Sequence, residues 1–204
     1  MNTILHLSRL STRAAATVNK TTRCTIAPPV PRATLPSLYH QIPPTRAEAA
    51  SMASLIPPTE LQIFTDGSAF RGGVGGAARA RLPGMGTLVL KEYLGAQPAH
   101  LAVEGEILGV ILGLQILKTA RTPKSKHATI LVDCQQAIRE LVNGRSKHVE
   151  LLERFHCELK GLGKKLQSIR FMWVPGHKGA LMNELVDQDA KAVAEGEHSI
   201  KLYF

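Results

Sequence analysis

Two aspartates occupy the same kind of place in this chain, each directly after a short apolar run. Asp66 follows Leu61-Gln62-Ile63-Phe64-Thr65 and opens Asp66-Gly67-Ser68, and Asp133 follows Thr129-Ile130-Leu131-Val132. Runs of this kind read as buried strands, and ligand sites in open α/β sheets gather at the carboxyl ends of strands. If the two strands lie side by side and parallel, the two carboxylates are neighbours. Neighbouring carboxylates repel, so either one takes a proton or a cation binds between them. Each acid also has a plainer reading: Asp-Gly is a common turn pair, and Asp is a favoured helix N-cap.

Two more acids belong to helical stretches. Glu106 shares one helical face with Gly109 and Gly113, at i, i+3 and i+7. A glycine costs a helix about 1 kcal/mol, and a helix pressed closely to a sheet is a reason to accept that cost. Such an approach aims Glu106 inward at the strand ends, where an unpaired carboxylate is costly unless it meets a cation. Glu104, roughly 200° further round by the helical period, is expected to face solvent. Asp187, in Asn183-Glu184-Leu185-Val186-Asp187, reads by itself as an ordinary solvated acid. His177 lies in Trp173-Val174-Pro175-Gly176-His177-Lys178-Gly179, a Pro/Gly loop. A histidine there suits proton shuttling near neutral pH, and a plain surface histidine is the simpler alternative. No Cys or His cluster accompanies the acids, so all-oxygen ligation points to Mg²⁺ or Mn²⁺ rather than zinc. Several carboxylates at one sheet edge can hold two such ions about 3.5–4 Å apart, one activating water and the other stabilising the leaving oxygen. On a basic protein, a site of this kind suggests phosphodiester hydrolysis.

The composition agrees with that direction. The chain of 204 residues carries a formal charge of +9, with 44% hydrophobic and 20% charged residues. That is room for one soluble globular domain and a tail, and the charge favours polyanions. The longest apolar stretch, Ile107 to Leu117, is broken by Gly109, Gly113 and Gln115. It is too short for a membrane span of about 20 residues, so no membrane association is expected. Cys24, Cys134 and Cys157 are odd in number and lack C-x-x-C spacing. This argues against a disulfide framework or structural zinc and for a reducing compartment.

The elements that must position these side chains follow from the patterning. Residues 1–60 form a basic, Pro-rich tail: Arg9, Arg13, Lys20, Arg23, Arg32 and Arg46 face only Glu48 and Glu60. Within it, about residues 24–60 read as a linker with no core of its own. Residues 3–18 have the pattern of an amphipathic helix, with three readings side by side: a mitochondrial transit peptide, the stub of a longer polyprotein, or a disordered basic tail. Deleting residues 1–55 is therefore expected to leave the fold intact. The ordered domain spans 61–197, and 198–204 reads as a C-terminal tail. Strands are predicted at 61–65, 73–81, 86–95, 129–132 and 169–174, with Pro83-Gly84 turning between the second and third. Helices are predicted at 99–120, 135–142, 149–166 and 181–194. The order β-β-β-α-β-α-α-β-α gives an α/β fold with a mixed five-stranded sheet flanked by helices.

Five pieces of this chain, in order and spacing, resemble the motifs of type-1 ribonucleases H. They are Thr65-Asp66-Gly67-Ser68, Glu106 within Val103–Gly109, Val132-Asp133-Cys134-Gln135-Gln136-Ala137-Ile138, Trp173-Val174-Pro175-Gly176-His177, and Asn183-Glu184 with Asp187. The style is closest to RNase H domains of fungal or other non-LTR retroelement polyproteins, and Leu7–Ala16 looks like their connection to the reverse transcriptase. The resemblance implies a ribonuclease H-like fold and hydrolysis of the RNA strand of RNA–DNA hybrids, leaving 5′-phosphate and 3′-hydroxyl ends. It implies two Mg²⁺ ions, with Mn²⁺ as a substitute, on Asp66, Glu106, Asp133 and Asp187. His177 would assist proton transfer and product release. The backbone of Gly67 and Ser68 would lie near the RNA 2′-hydroxyls, and Glu106, Asn183 and Gln135 or Gln136 would touch the minor groove. Two departures stand out: Met182 replaces a frequent glycine, and Cys134 replaces the usual Asn or Ser. Lys160, Lys164 and Lys165, with Arg145 and Lys147, either stand in for a basic protrusion or form a solvated helix face. The alternatives are a catalytically silent hybrid-binding remnant of a retroelement, a resolvase or 3′-exonuclease of the same fold, and a basic scaffold protein. An RNA–DNA hybrid is the expected partner. No protein partner is implied and a monomer is expected. The expected setting is intracellular: nucleus or cytoplasm, or the mitochondrion if the N-terminal segment is a transit peptide.

Overall fold

The computed structural model describes residues 35–82, 86–120, 125–176 and 181–196 and the backbone of 201–203. The helix expected over 3–18, the Pro83-Gly84 turn and His177 lie outside the described residues. In chain order the elements are β1 (Ser37–Gln41), α1 (Arg46–Ser54), β2 (Leu61–Phe70), β3 (Gly73–Leu82), β4 (Gly86–Ala96), α2 (Ala102–Thr119), β5 (His127–Val132), α3 (Gln135–Asn143), α4 (Val149–Leu162), β6 (Ser168–Trp173), α5 (Leu181–Ala194) and β7 (Lys201–Tyr203).

The strands form one mixed sheet in the order β1-β6-β5-β2-β3-β4-β7. Parallel pairing joins β1, β6, β5 and β2, and antiparallel pairing joins β2, β3, β4 and β7. The five central strands are those the sequence predicts. The sheet is seven-stranded rather than five-stranded, because one further strand is added at each edge. The C-terminal strand β7 pairs with β4 inside a stretch expected to be a tail.

The larger correction concerns the proposed linker. Residues 37–54 form β1 and α1, and these belong to the core. Thr45 caps α1, its Oγ1 accepting the Glu48 N–H at 3.2 Å. The helix brings Met52 and Ala53 against Ile56, Leu131, Met172 and Val174. A part-buried polar set ties the segment down further. The Arg170 guanidinium donates to Thr129 Oγ1 at 2.9 Å, Gln41 Oε1 at 3.3 Å and Glu60 Oε1 at 3.0 Å. Proline density misleads here because Pro43 and Pro44 precede α1 and Pro57 and Pro58 follow it. They punctuate a short element that carries too few apolar residues to show a period.

The opposite face of the sheet holds the main core. There α2 and α3 pack on the sheet and α4 packs on α2, with Ile107, Leu108, Ile111, Leu114 and Leu117 almost fully buried. Lys165 closes its C-terminal end by donating to the Lys118 carbonyl at 2.9 Å, which satisfies a carbonyl that has no partner within the helix.

A chain starting at residue 57 should melt well below the full-length protein. Removing α1 uncovers Leu131, Met172 and Val174, a loss on the order of 3 kcal/mol. Thermal denaturation of both chains checks this; coincident curves would show that β1 and α1 are not part of the core.

Candidate active site

Backbone register brings the first two acids together. β2 and β5 are parallel, with Thr65 opposite Val132, so Asp66 and Asp133 follow at the same level. The structure departs from the expectation that Asp66 ends its strand. β2 continues to Phe70, with Asp66 opposite Ala77 on β3. The hairpin turns at Arg71 and Gly72, which have φ of 48° and 85°, the two positive values of a type I′ turn. Asp66 thus stands inside a strand, at the point where the parallel neighbour stops.

Gly67 is an in-strand glycine rather than a turn residue because α2 leaves no room for a side chain. A Cβ there would run into the backbone of Gly105 and Glu106. The same holds nearby: a Cβ on Gly76 would lie 2.6 Å from the Gly105 carbonyl oxygen, and one on Gly109 2.7 Å from the Asp66 carbonyl oxygen. Helix and sheet touch backbone to backbone, as the Gly109 and Gly113 spacing predicts, and Glu106 is carried to the strand ends. Ligand oxygens of Asp66, Glu106 and Asp133 all lie within 4.8 Å of one another.

The electrostatics of this group are strained without a counter-charge. Burial, then the charges of Asp133 and Asp187, push the Asp66 carboxyl up to about 8 from 3.8. Burial likewise raises Glu106 well above its ordinary value, helped by Asp133, Asp66 and a hydrogen bond to Asp133. Glu106 Oε2 is buried and has no hydrogen-bond partner. An orphaned carboxylate oxygen beside two more carboxylates, with no nitrogen or sulfur ligand in the set, fits a hard divalent cation such as Mg²⁺ or Mn²⁺.

The remaining predicted residues fall around this core. Asp187 stands outside the group of three, on α5. Its Oδ2 accepts from Lys191 Nζ at 2.7 Å, yet its charge still reaches Asp66. Asn183 and Ser68 are buried, and Met182 is half-buried. Gln135 Oε1 accepts from Arg139 at 2.7 Å, and the Gln136 amide donates to Glu140 at 2.8 Å, so both glutamines engage their own helix. The Trp173 indole donates to the Asp133 carbonyl at 2.9 Å. A Cβ on Gly176 would lie 2.7 Å from Asp133 Oδ2. The loop that carries His177 therefore leaves β6 directly against an acid of the site.

Glu104 corrects another expectation. Its Oε2 accepts the Leu101 N–H at 2.7 Å, capping α2. Its Oε1 meets His148 Nδ1 at 3.2 Å and His100 Nδ1 at 3.5 Å. Burial alone would raise this carboxyl, but the Leu101 N–H and the two imidazoles bring it below its ordinary value. Position three of a helix favours an acid reaching back to the cap, and His100 lies four residues earlier. Those local signals were available in the sequence, whereas the approach of His148 was not.

Comparison with known proteins places this site in context. The RNase H family profile matches residues 58–195. Two solved structures are similar to the chain. RNase H1 of the halophilic archaeon Halobacterium salinarum is 13% identical, with a TM-score of 0.49, covering 68% of this chain and 99% of its own. The N-terminal RNase H domain of a Mycobacterium tuberculosis protein, solved as a fusion with maltose-binding protein, is 20% identical. Its TM-score is 0.46, and the match covers 67% of this chain and 97% of that one. No curated protein matches.

Two outcomes follow from the geometry. Gly109→Ala should cost about 1–3 kcal/mol, as overpacking does, and should weaken divalent-metal binding because α2 must lift away from Asp66; calorimetry with Mn²⁺ measures both. The second concerns pH. Folded Asp66 keeps its proton to about pH 8, while the unfolded chain releases it near 3.8. Between those values the unfolded state binds fewer protons, so metal-free stability falls as pH rises through the window and levels off above it. Melting in EDTA should show this decline, and Asp66→Asn should make it shallower, Glu106 supplying the rest; parallel slopes in the two proteins would remove Asp66 as a source.

Proposed function

The chain belongs to the RNase H family, and on that premise we propose that it is an endonuclease hydrolysing the RNA strand of RNA–DNA hybrids. The observation that carries this reading is the three-carboxylate group of Asp66, Glu106 and Asp133, with its unpartnered buried oxygen on Glu106. Asp66, Glu106 and Asp133 would hold divalent cations, with Asp187 completing the set from α5. Two bound Mg²⁺ ions would supply the charge that activates a water and stabilises the leaving 3′-oxygen, giving 5′-phosphate and 3′-hydroxyl ends.

The chain's own residues orient the rest. Asp66 and Asp133 are fixed by strand register, so their spacing does not depend on side-chain chance. Glu106 is delivered by a helix whose backbone touches the sheet. In this reading the backbone of Gly67 and Ser68 lies where RNA 2′-hydroxyls separate RNA from DNA, and Asn183 adds a minor-groove contact. His177, on the loop beyond Gly176, moves a proton and helps product leave. The charge of +9 holds the polyanion. A reducing intracellular setting completes the proposal and suits Cys134 and Cys157, neither of which is in a disulfide.

The test is cleavage of a labelled RNA–DNA hybrid in Mg²⁺ beside duplex DNA, duplex RNA and an EDTA control. Metal-dependent cutting confined to the RNA of the hybrid is expected. Asp66→Asn should lower cleavage by at least on the order of a hundredfold, more than the loss of an outer-shell group, while hybrid binding is kept or improved. Unchanged cleavage by Asp66→Asn would place the chemistry elsewhere. Hybrid binding without cleavage by the unaltered protein would identify a silent remnant.

A further inference from the structure

The last helix, α5, carries Asp187, and a polar contact two residues further along seats that helix on the sheet. Asp189 Oδ2 accepts twice from the Arg79 guanidinium, from Nε at 3.0 Å and from Nη2 at 2.6 Å. Arg79 stands on β3 opposite Phe64, and Ala77, two residues before it, stands opposite Asp66. Alternation along the strands and pairing across them put Phe64, Asp66, Ala77 and Arg79 on one face. Val186 and Ala190 of α5 pack on that same face. The ion pair therefore joins α5 to the sheet one step along the strands from the first acid. The rest of the contact is smooth. Ala77 meets Val186 and Ala190, and Gly73 and Gly75 lie against Ala194 and Val193. Side chains this small interdigitate little. They let α5 come close to the sheet, but they fix its rotation and its place along its own axis only weakly.

A second ion pair, Arg71 with Glu195 at 2.8 Å, lies just past the end of α5, but the Arg71 side chain is 72% exposed, and a pair in that setting contributes little. The side chains of Arg79 and Asp189 are only 15% and 17% exposed. Taking two charges that far from water is costly, and an apolar pair of similar volume often serves stability as well or better. Setting register is the best-attested use of an ion pair in such a place. Resting on the proposed hybrid cleavage, we propose that Arg79 is a positioning residue for that reaction: by clamping Asp189 it fixes the register of α5 on β3, and so the place of the Asp187 carboxylate relative to Asp66. It acts through the helix and touches none of the reacting groups.

The test combines Arg79→Met with Asp189→Leu in the full chain. It follows melting temperature, kcat and KM on the RNA–DNA hybrid in Mg²⁺, and the crystal structures of wild type and variant. The double variant should melt at or above wild type. Its α5 should be displaced on β3 by more than about 0.5 Å, the tolerance of a preorganised site. Its kcat should fall at least about tenfold, because a misplacement of about 1 Å can cost on the order of a hundredfold, while KM stays within about twofold of wild type. Arg79→Lys keeps the charge without the planar fork, and its kcat should lie between the two. Leu162→Ala removes core packing at the far end of α4; it should lower the melting temperature and leave kcat unchanged where the protein is folded. Wild-type kcat in the double variant, or an unmoved α5, would overturn the proposal. A raised KM with unchanged kcat would do the same, as would a double variant that fails to fold, since the pair would then be a brace for stability. Equal losses of kcat in Leu162→Ala and the double variant would also count against it. If wild type leaves the hybrid uncut, the activity reading is what falls, and the displacement of α5 alone still decides the clamp.

Discussion

Glu106 reaches the strand ends only because α2 and the sheet meet with no side chains between them. Helices normally stand off a sheet by the thickness of two layers of side chains. Here Gly105 and Gly109 on the helix face Gly67 and Gly76 on the strands, and a Cβ at any of these positions would strike backbone. β3 makes a second such approach possible, since Gly73 and Gly75 lie against Val193 and Ala194 of α5. Both helices that carry acids therefore settle close to the same two strands. The glycines that weaken α2 as an isolated helix are the condition for its carboxylate to be at the site.

That closeness creates the electrostatic problem the site is built around. Three carboxyl groups share a volume from which water is largely excluded, and two of them resist ionisation. A flexible scaffold would relieve this by letting the acids drift apart. Parallel register fixes Asp66 against Asp133, the backbone contact fixes Glu106, and the Trp173 indole pins the Asp133 carbonyl. Rigidity keeps the acids together, with protons relieving part of their repulsion, until a cation takes the place of those protons at a preorganised site. The histidines around Glu104 have a related effect, since a capped and paired first turn holds α2 from its N-terminal end.

What could be read from the sequence was whatever depends on local pattern. Apolar runs of five and four residues indicate the strands that lead to Asp66 and Asp133, and the i, i+3, i+7 spacing of Glu106, Gly109 and Gly113 marks the face of α2 that meets the sheet. Where a residue's role depends on what arrives from elsewhere, the pattern was silent or misleading. Asp66-Gly67 looks like a turn because turns and tight helix approaches both ask for glycine; only the position of α2 decides between them. Glu104 looked solvated because helical angle alone says nothing of His148, forty-four residues further on in a different element. β1 and β7 are short edge strands whose pairing partners lie far away in sequence, and their few residues carry no periodicity to detect.

The asymmetry of the two sheet faces explains why the N-terminal segment belongs to the domain at all. The face toward α2, α3 and α4 is fully covered. On the other face α5 packs on β2, β3 and β4, which leaves Leu131 of β5, Met172 of β6 and Val174 just beyond β6 to be covered. Parallel strands are apolar on both sides and need cover on both; α1 provides it. The two covers meet at Phe64, which packs against the clusters under α1 and under α5 alike. Residues two apart on a strand share a face, so the next residue on that side after Phe64 is Asp66. The packing that seats the N-terminal segment therefore bears on the strand one step from the first acid, and the core and the site are braced by the same side chain.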